Sequence, residues 1–120
     1  EMVVRGHADG AMDAINLKIG RVGGLTRARQ IRDLCVSLGI ALTIEDSGGG
    51  DIAAATVGHL AQSTPEKYRL MVTSNYFKTE LRTADGAPTL NNGRMATSTE
   101  PGLGVKPRMD VLGDPILEIA

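Results

Sequence analysis

With 120 residues the chain is the size of one ordinary domain, and its charge nearly balances, 13 Lys and Arg against 14 Asp and Glu. No charge excess argues for nucleic acid or a membrane surface as partner, and two tyrosines, one phenylalanine and no tryptophan leave little for base stacking. There is no run of about 18 apolar residues and no basic-then-apolar leader, and one cysteine, Cys35, fits a reducing compartment. The expectation is a soluble, cytoplasmic protein. Because the sequence starts at Glu1 rather than at methionine, a partial chain is expected.

The first dozen residues, EMVVRGHADGAM, read as the tail of a helix, weakened by Gly6 and Gly10. Next, Ile15, Leu17 and Ile19 point one way while Asn16 and Lys18 point the other, the period of a strand. A helix follows on Leu25, Ala28, Ile31, Leu34, Cys35 and Leu38, with Arg27, Arg29, Arg32 and Asp33 on the solvent side and Gly39 as its left-handed terminator. Ile40, Leu42 and Ile44 then alternate with Ala41, Thr43 and Glu45 as a second strand. Asp51 is the expected N-cap of a second helix, IAAATVGHLAQ, which stops before Pro65. In the third strand Leu70 and Val72 alternate with Met71 and Thr73. From about Tyr76 the chain is rich in Gly, Pro, Asn and Thr, and reads as a loop-rich tail with a short hairpin or two near Asn92-Gly93.

The strand ends at Lys18, Glu45 and about Thr73 lie 27 and 28 residues apart, the length of a βα unit. Strand, helix, strand, helix, strand implies a parallel sheet with right-handed crossovers, in a doubly wound sheet or in part of a (β/α)8 barrel. Polar side chains at the C-terminal ends of successive strands favour the barrel, since a doubly wound sheet is apolar on both faces. The expected fold is α/β, the C-terminal portion of a (β/α)8-type barrel. Its domain division is residues 1–75 as about three βα units and residues 76–120 as the tail packed on the barrel or a capping region.

Lys18 is the first candidate for chemistry. The plain alternative is a strand-end lysine reaching solvent. Against it stand the inward face, the neighbours Leu17 and Ile19, and a glycine-containing turn immediately after. A lysine partly desolvated in such a pocket can act as a general base near neutral pH. Glu45, in IEDSGGGD, could pair with it, orient a substrate or bind a cation, or simply be a solvated loop acid. Asp46 and Ser47 lead into three glycines whose backbone N–H groups could hold a carboxylate or phosphate, although no Lys-Ser/Thr follows as in a Walker loop. His59 reads as a packed structural histidine and His7 as solvated. Neither a Ser-His-Asp order nor a metal-ligand spacing of Cys and His can be assembled.

The run INLKIGRVGGLTRARQIRDLCVSLGIALTIEDSGGGDIAAATVGHLAQSTP, with PGLGV in the tail, resembles the last βα units of the enolase superfamily, in its mandelate racemase/muconate lactonizing enzyme branch. The segments LKIGRVGGLT, TIEDSGGGD and TADGAP…PGLGVKPRMDVLGDP are most similar to the C-terminal part of the cis-3-hydroxy-L-proline dehydratases. The resemblance implies a barrel portion of roughly strands six to eight. It implies that Lys18 is one of two lysines facing each other across a small, hydroxyproline-like carboxylate, that one of them removes the α-proton, and that Mg2+ stabilises the enediolate. Loss of the 3-hydroxyl then makes a dehydratase, a lyase, and reprotonation a racemase or epimerase. Glu45 takes the place of an acidic substrate-orienting residue, with Asp46 and Ser47 bordering the site. The Mg2+ ligands in such enzymes end strands three to five, so none is expected in this chain, and it is expected to be inactive alone. A full barrel needs roughly 250 residues. Three strands leave two unpaired edges, which favour association, as a homo-oligomer or with another chain. A non-catalytic half-barrel is the remaining alternative.

Overall fold

The computed structural model describes residues 1–46, 48–74 and 80–119. Helix α1 (Met2–Ala8) leads into strand β1 (Ala14–Lys18), a 3-10 turn (Ile19–Val22) and helix α2 (Leu25–Ser37). Strand β2 (Ala41–Asp46), helix α3 (Asp51–Gln62), a second 3-10 turn (Glu66–Tyr68) and strand β3 (Arg69–Ser74) complete the regular part. The two turn-plus-helix segments begin differently. Gly24, just before α2, has φ +102° and ψ −176°, a backbone region open in practice to glycine alone.

The three strands pair in the order β1-β2-β3, all parallel. Such neighbours need a right-handed crossover, so α2 and α3 fall on one face of the sheet and pack against each other. The core forms between that face and the helices. Leu17, Ile40, Leu42 and Ile44 from the sheet meet Ala28 and Cys35 of α2 and Val57, Leu60 and Ala61 of α3. The opposite face carries Asn16 and Lys18 of β1, Thr43 and Glu45 of β2 and Thr73 of β3, since successive side chains alternate. Among the described residues no helix covers it, as expected of a barrel interior and not of a doubly wound sheet. Burial also pushes the Cys35 thiol up, away from reactivity.

Arg32 does not join Arg27 and Arg29 in solvent but is 6% exposed, one turn from Ala28 on the packed side of α2. Its guanidinium Nη1 donates to the Ser63 carbonyl at 2.8 Å and to the Ser63 and Thr64 hydroxyls at 3.2 Å, while Nε donates to Asp33 at 2.6 Å. The end of α3 leaves carbonyls without intrahelical partners, and a long cationic donor from α2 satisfies one. Leu25 and Leu34, taken as core, remain 39% and 36% exposed.

Asp51 also departs from the sequence expectation. The N-cap position of α3 is Gly50, and Asp51 is the first helical residue, fully buried. Its carboxylate accepts from the backbone N–H of Thr83 and, at 2.8 Å, from that of Ala84. In return the Asp51 N–H donates to the Thr83 hydroxyl at 3.1 Å. Thr83, 32 residues downstream, thus caps the helix, and Gly50 gives it room: a Cβ there would lie 2.4 Å from the Thr83 hydroxyl oxygen.

The tail is built from short pieces on α3. Strand β4 (Ala84–Asp85) pairs with β7 (Lys106–Pro107), and β5 (Thr89–Asn91) pairs with β6 (Arg94–Ala96). The expected hairpin is present, with Asn92 at φ 49° and Gly93 at φ 72°, the signs of a tight type I′ turn. It rests on Gly58, where a Cβ would stand 2.2 Å from Thr97 Cγ2. His59 is half-buried, its Nε2 3.1 Å from the Leu103 carbonyl oxygen, in keeping with the packed role expected of it. A last helical turn, α4, spans Met109–Leu112. The domain boundary placed at 75/76 lies outside the described residues.

Candidate active site

The C-terminal ends of β1 and β2 lie side by side in register, Lys18 opposite Glu45 and Asn16 opposite Thr43. Parallel pairing brings both mouths to the same end of the sheet, and alternation puts Lys18 and Glu45 on the helix-free face. Lys18 Nζ lies 3.3 Å from Glu45 Oε1, with the two side chains 27% and 17% exposed. The same oxygen accepts a hydrogen bond from the Asn16 amide. Asn16 and Lys18, with Arg21 on the following turn, hold the Glu45 carboxyl below the usual glutamate range.

Asp46 points elsewhere. Its carboxylate packs on the turn after β1, where Oδ1 lies 3.0 Å from the position a Cβ would take on Gly20. The structure therefore brings Lys18 and Glu45 together and sets Asp46 beside them, against the backbone of the turn. Ser47 lies outside the described residues. Of the glycine-loop donors, the Asp51 N–H is spent on Thr83. Asn16 was not singled out by sequence, although it shares the strand period with Lys18, and that shared face was the available signal.

The enolase C-terminal domain-like family profile matches residues 1–111. The chain belongs to that family. Within the enolase superfamily it falls in the mandelate racemase/muconate lactonizing enzyme branch. It is 53% identical over 114 residues to the cis-3-hydroxy-L-proline dehydratase of Roseibium aggregatum, covering 95% of this chain and 31% of that protein. It is 30% identical over 108 residues to an N-succinylamino acid racemase of Amycolatopsis, covering 88% of this chain and 28% of the other. A mandelate racemase/muconate lactonizing enzyme from Roseovarius nubinhibens superposes with a TM-score of 0.91 at 40% identity, over 97% of this chain and 31% of that one. An enolase-superfamily member from the same organism, solved with magnesium, superposes at 0.90 and 38% identity, over 97% of this chain and 32% of that one. The chain thus spans about a third of the length of these relatives.

The three parallel strands and the two helices between them, two βα units and a third strand where about three units were expected, are those of this family's C-terminal portion. For magnesium, the donor set decides. Among the described residues no three His, Cys, Asp or Glu side chains gather where they could hold a metal ion, so these residues do not fit a magnesium centre. Nor is any helix among them long and apolar enough to cross a membrane.

Proposed function

We propose that this chain supplies the C-terminal part of the barrel of a lyase that dehydrates a cis-3-hydroxy-L-proline-like carboxylate. The observation that carries the reading is Lys18, held 3.3 Å from Glu45 at two adjacent strand mouths on the helix-free face. The 53% identity to a cis-3-hydroxy-L-proline dehydratase supports the substrate class.

In this reading the Lys18 amine takes the proton on the carbon α to the carboxylate. The electron pair of that C–H bond moves into the carboxylate as an enediolate, returns to form the C2–C3 double bond, and expels the 3-hydroxyl. In the cis isomer the hydroxyl and carboxylate share a ring face, so the C2 hydrogen faces the other way. Base and departing hydroxide therefore work from opposite sides of the ring, so the hydroxide is protonated by an acid or a solvent molecule on the hydroxyl's own face, not by Lys18, and leaves as water. The resulting enamine gains a proton at C3 and loses one from the ring nitrogen, and so becomes a cyclic imine. Glu45, an anion beside the base, orients the substrate's ring ammonium, with Asp46 and Ser47 bordering the same site. Magnesium, if the complete enzyme uses it, has its ligands outside the described residues, and the 120-residue chain alone is inactive. Its sheet edges, unpaired among the described residues, associate with the rest of the barrel or with another copy.

Racemisation or epimerisation of an amino-acid-like carboxylate is the second reading, favoured by the likeness to an N-succinylamino acid racemase. Incubating the complete enzyme with cis-3-hydroxy-L-proline in D2O separates the two. Water loss with imine formation is expected. Deuterium at the α-carbon without water loss supports the isomerase, and neither reaction overturns both.

A further inference from the structure

Glu45 Oε1 takes two donors from one strand, the Lys18 ammonium and the Asn16 amide. The two differ in one respect. A base lysine gives up a proton before each turnover, whereas an amide donor is permanent and neutral. A carboxylate whose sole donor were Lys18 would lose much of its stabilisation whenever that lysine was neutral, because an ionised oxygen stripped of its donor in a partly buried place is costly. With Asn16 present, Oε1 keeps a hydrogen bond in both states of Lys18.

We propose that Asn16 is a positioning residue for proton transfer: by bonding Glu45 Oε1, it keeps that carboxylate held in place while Lys18 gives up and regains its proton. The proposal rests on the reading of Lys18 as the base. Asn16 reaches Glu45 diagonally, since its own register partner on β2 is Thr43, so its amide turns along the strand toward the Lys18 pair and not across to its neighbour. Among the described residues, the charged groups facing Glu45 are Lys18 from β1 and Arg21 from the turn after it, with Asp46 next to it on β2. From β3 the register partner is Thr73, which carries no charge. Removing Asn16 therefore leaves Glu45 more dependent on the Lys18 ammonium, because among the described residues no other neutral side-chain donor bonds its carboxylate.

The test is the pH dependence of turnover in the complete enzyme. Asn16→Val suits a strand and carries no donor, and Asn16→Ala is read alongside it should the valine not be accommodated. The pH at which kcat rises is expected to move up by about one unit, so that kcat at neutral pH falls about tenfold with KM within about twofold, and the gap closes at alkaline pH. Asn16→Gln, which keeps the amide, is expected to restore much of the wild-type profile. A loss of equal size at every pH, or no change, with Lys18→Ala inactive, overturns the role of Asn16 while leaving Lys18 as the base. Full activity in Lys18→Ala overturns the reading of Lys18, and the role of Asn16 with it.

Discussion

Replacing Asp51 with alanine removes a buried carboxylate that ties the tail to the start of α3. Its oxygen accepts from the Thr83 and Ala84 backbone N–H groups, and Ala84 is only 3% exposed. A buried donor left without its acceptor costs about 1–3 kcal/mol, more when the acceptor was charged. Thr83 is half-exposed and water can replace part of its loss. Two such donors, less the desolvation that a buried carboxylate no longer suffers, give an expected destabilisation of about 2–4 kcal/mol. Against a typical domain stability of about 5–15 kcal/mol this is large. Asp51→Asn keeps an acceptor oxygen and is expected to lose about half as much. Urea titration reads the total, and amide hydrogen exchange reads where it falls: Thr83 and Ala84 are expected to lose protection first. A change below about 0.5 kcal/mol, or unchanged exchange at those two amides, would refute the picture of Asp51 as the tail's anchor.

Three further outcomes follow from the same contacts. Because Asn16 and Lys18 hold the folded Glu45 carboxyl below its ordinary range, Glu45 contributes stability above the unfolded value of about 4.3 and loses it as pH falls through the lower folded value; carboxyl NMR titration is expected to show a depressed midpoint that Asn16→Ala raises. In Gly58→Ala the new Cβ would stand 2.2 Å from Thr97 Cγ2 and 3.2 Å from Met95 Cε, so the hairpin must lift off α3. A loss of about 1–3 kcal/mol is expected, read by thermal melting. Leu42→Ala empties a fully buried position in the middle strand and is expected to cost about 2–5 kcal/mol by the same measurement.

The βα rhythm was legible because it depends on local periodicity: Leu17, Leu42 and Ile44 alternate with polar neighbours, and those polar neighbours mark the inward face. Lys18 and Glu45 were legible for the same reason, since two strand ends at a βα spacing must become neighbours in a parallel sheet. Arg32 and Asp51 were not, because their partners are distant in sequence. Arg32 is buried by carbonyl and hydroxyl groups at the end of α3, and Asp51 by a tail segment 32 residues on. A charge on a helix reads as solvated until the element covering it is known. Asn16 was overlooked for a different reason: its face was clear, but its diagonal bond to Glu45 depends on where both side chains turn.

Lys18→Ala in the complete enzyme is the most direct measurement. Turnover of cis-3-hydroxy-L-proline is expected to fall by at least about 100-fold, the range assigned to loss of a general base, with an unchanged circular dichroism spectrum. Turnover within about threefold of wild type, well inside that range, would contradict the assignment of proton abstraction to this lysine.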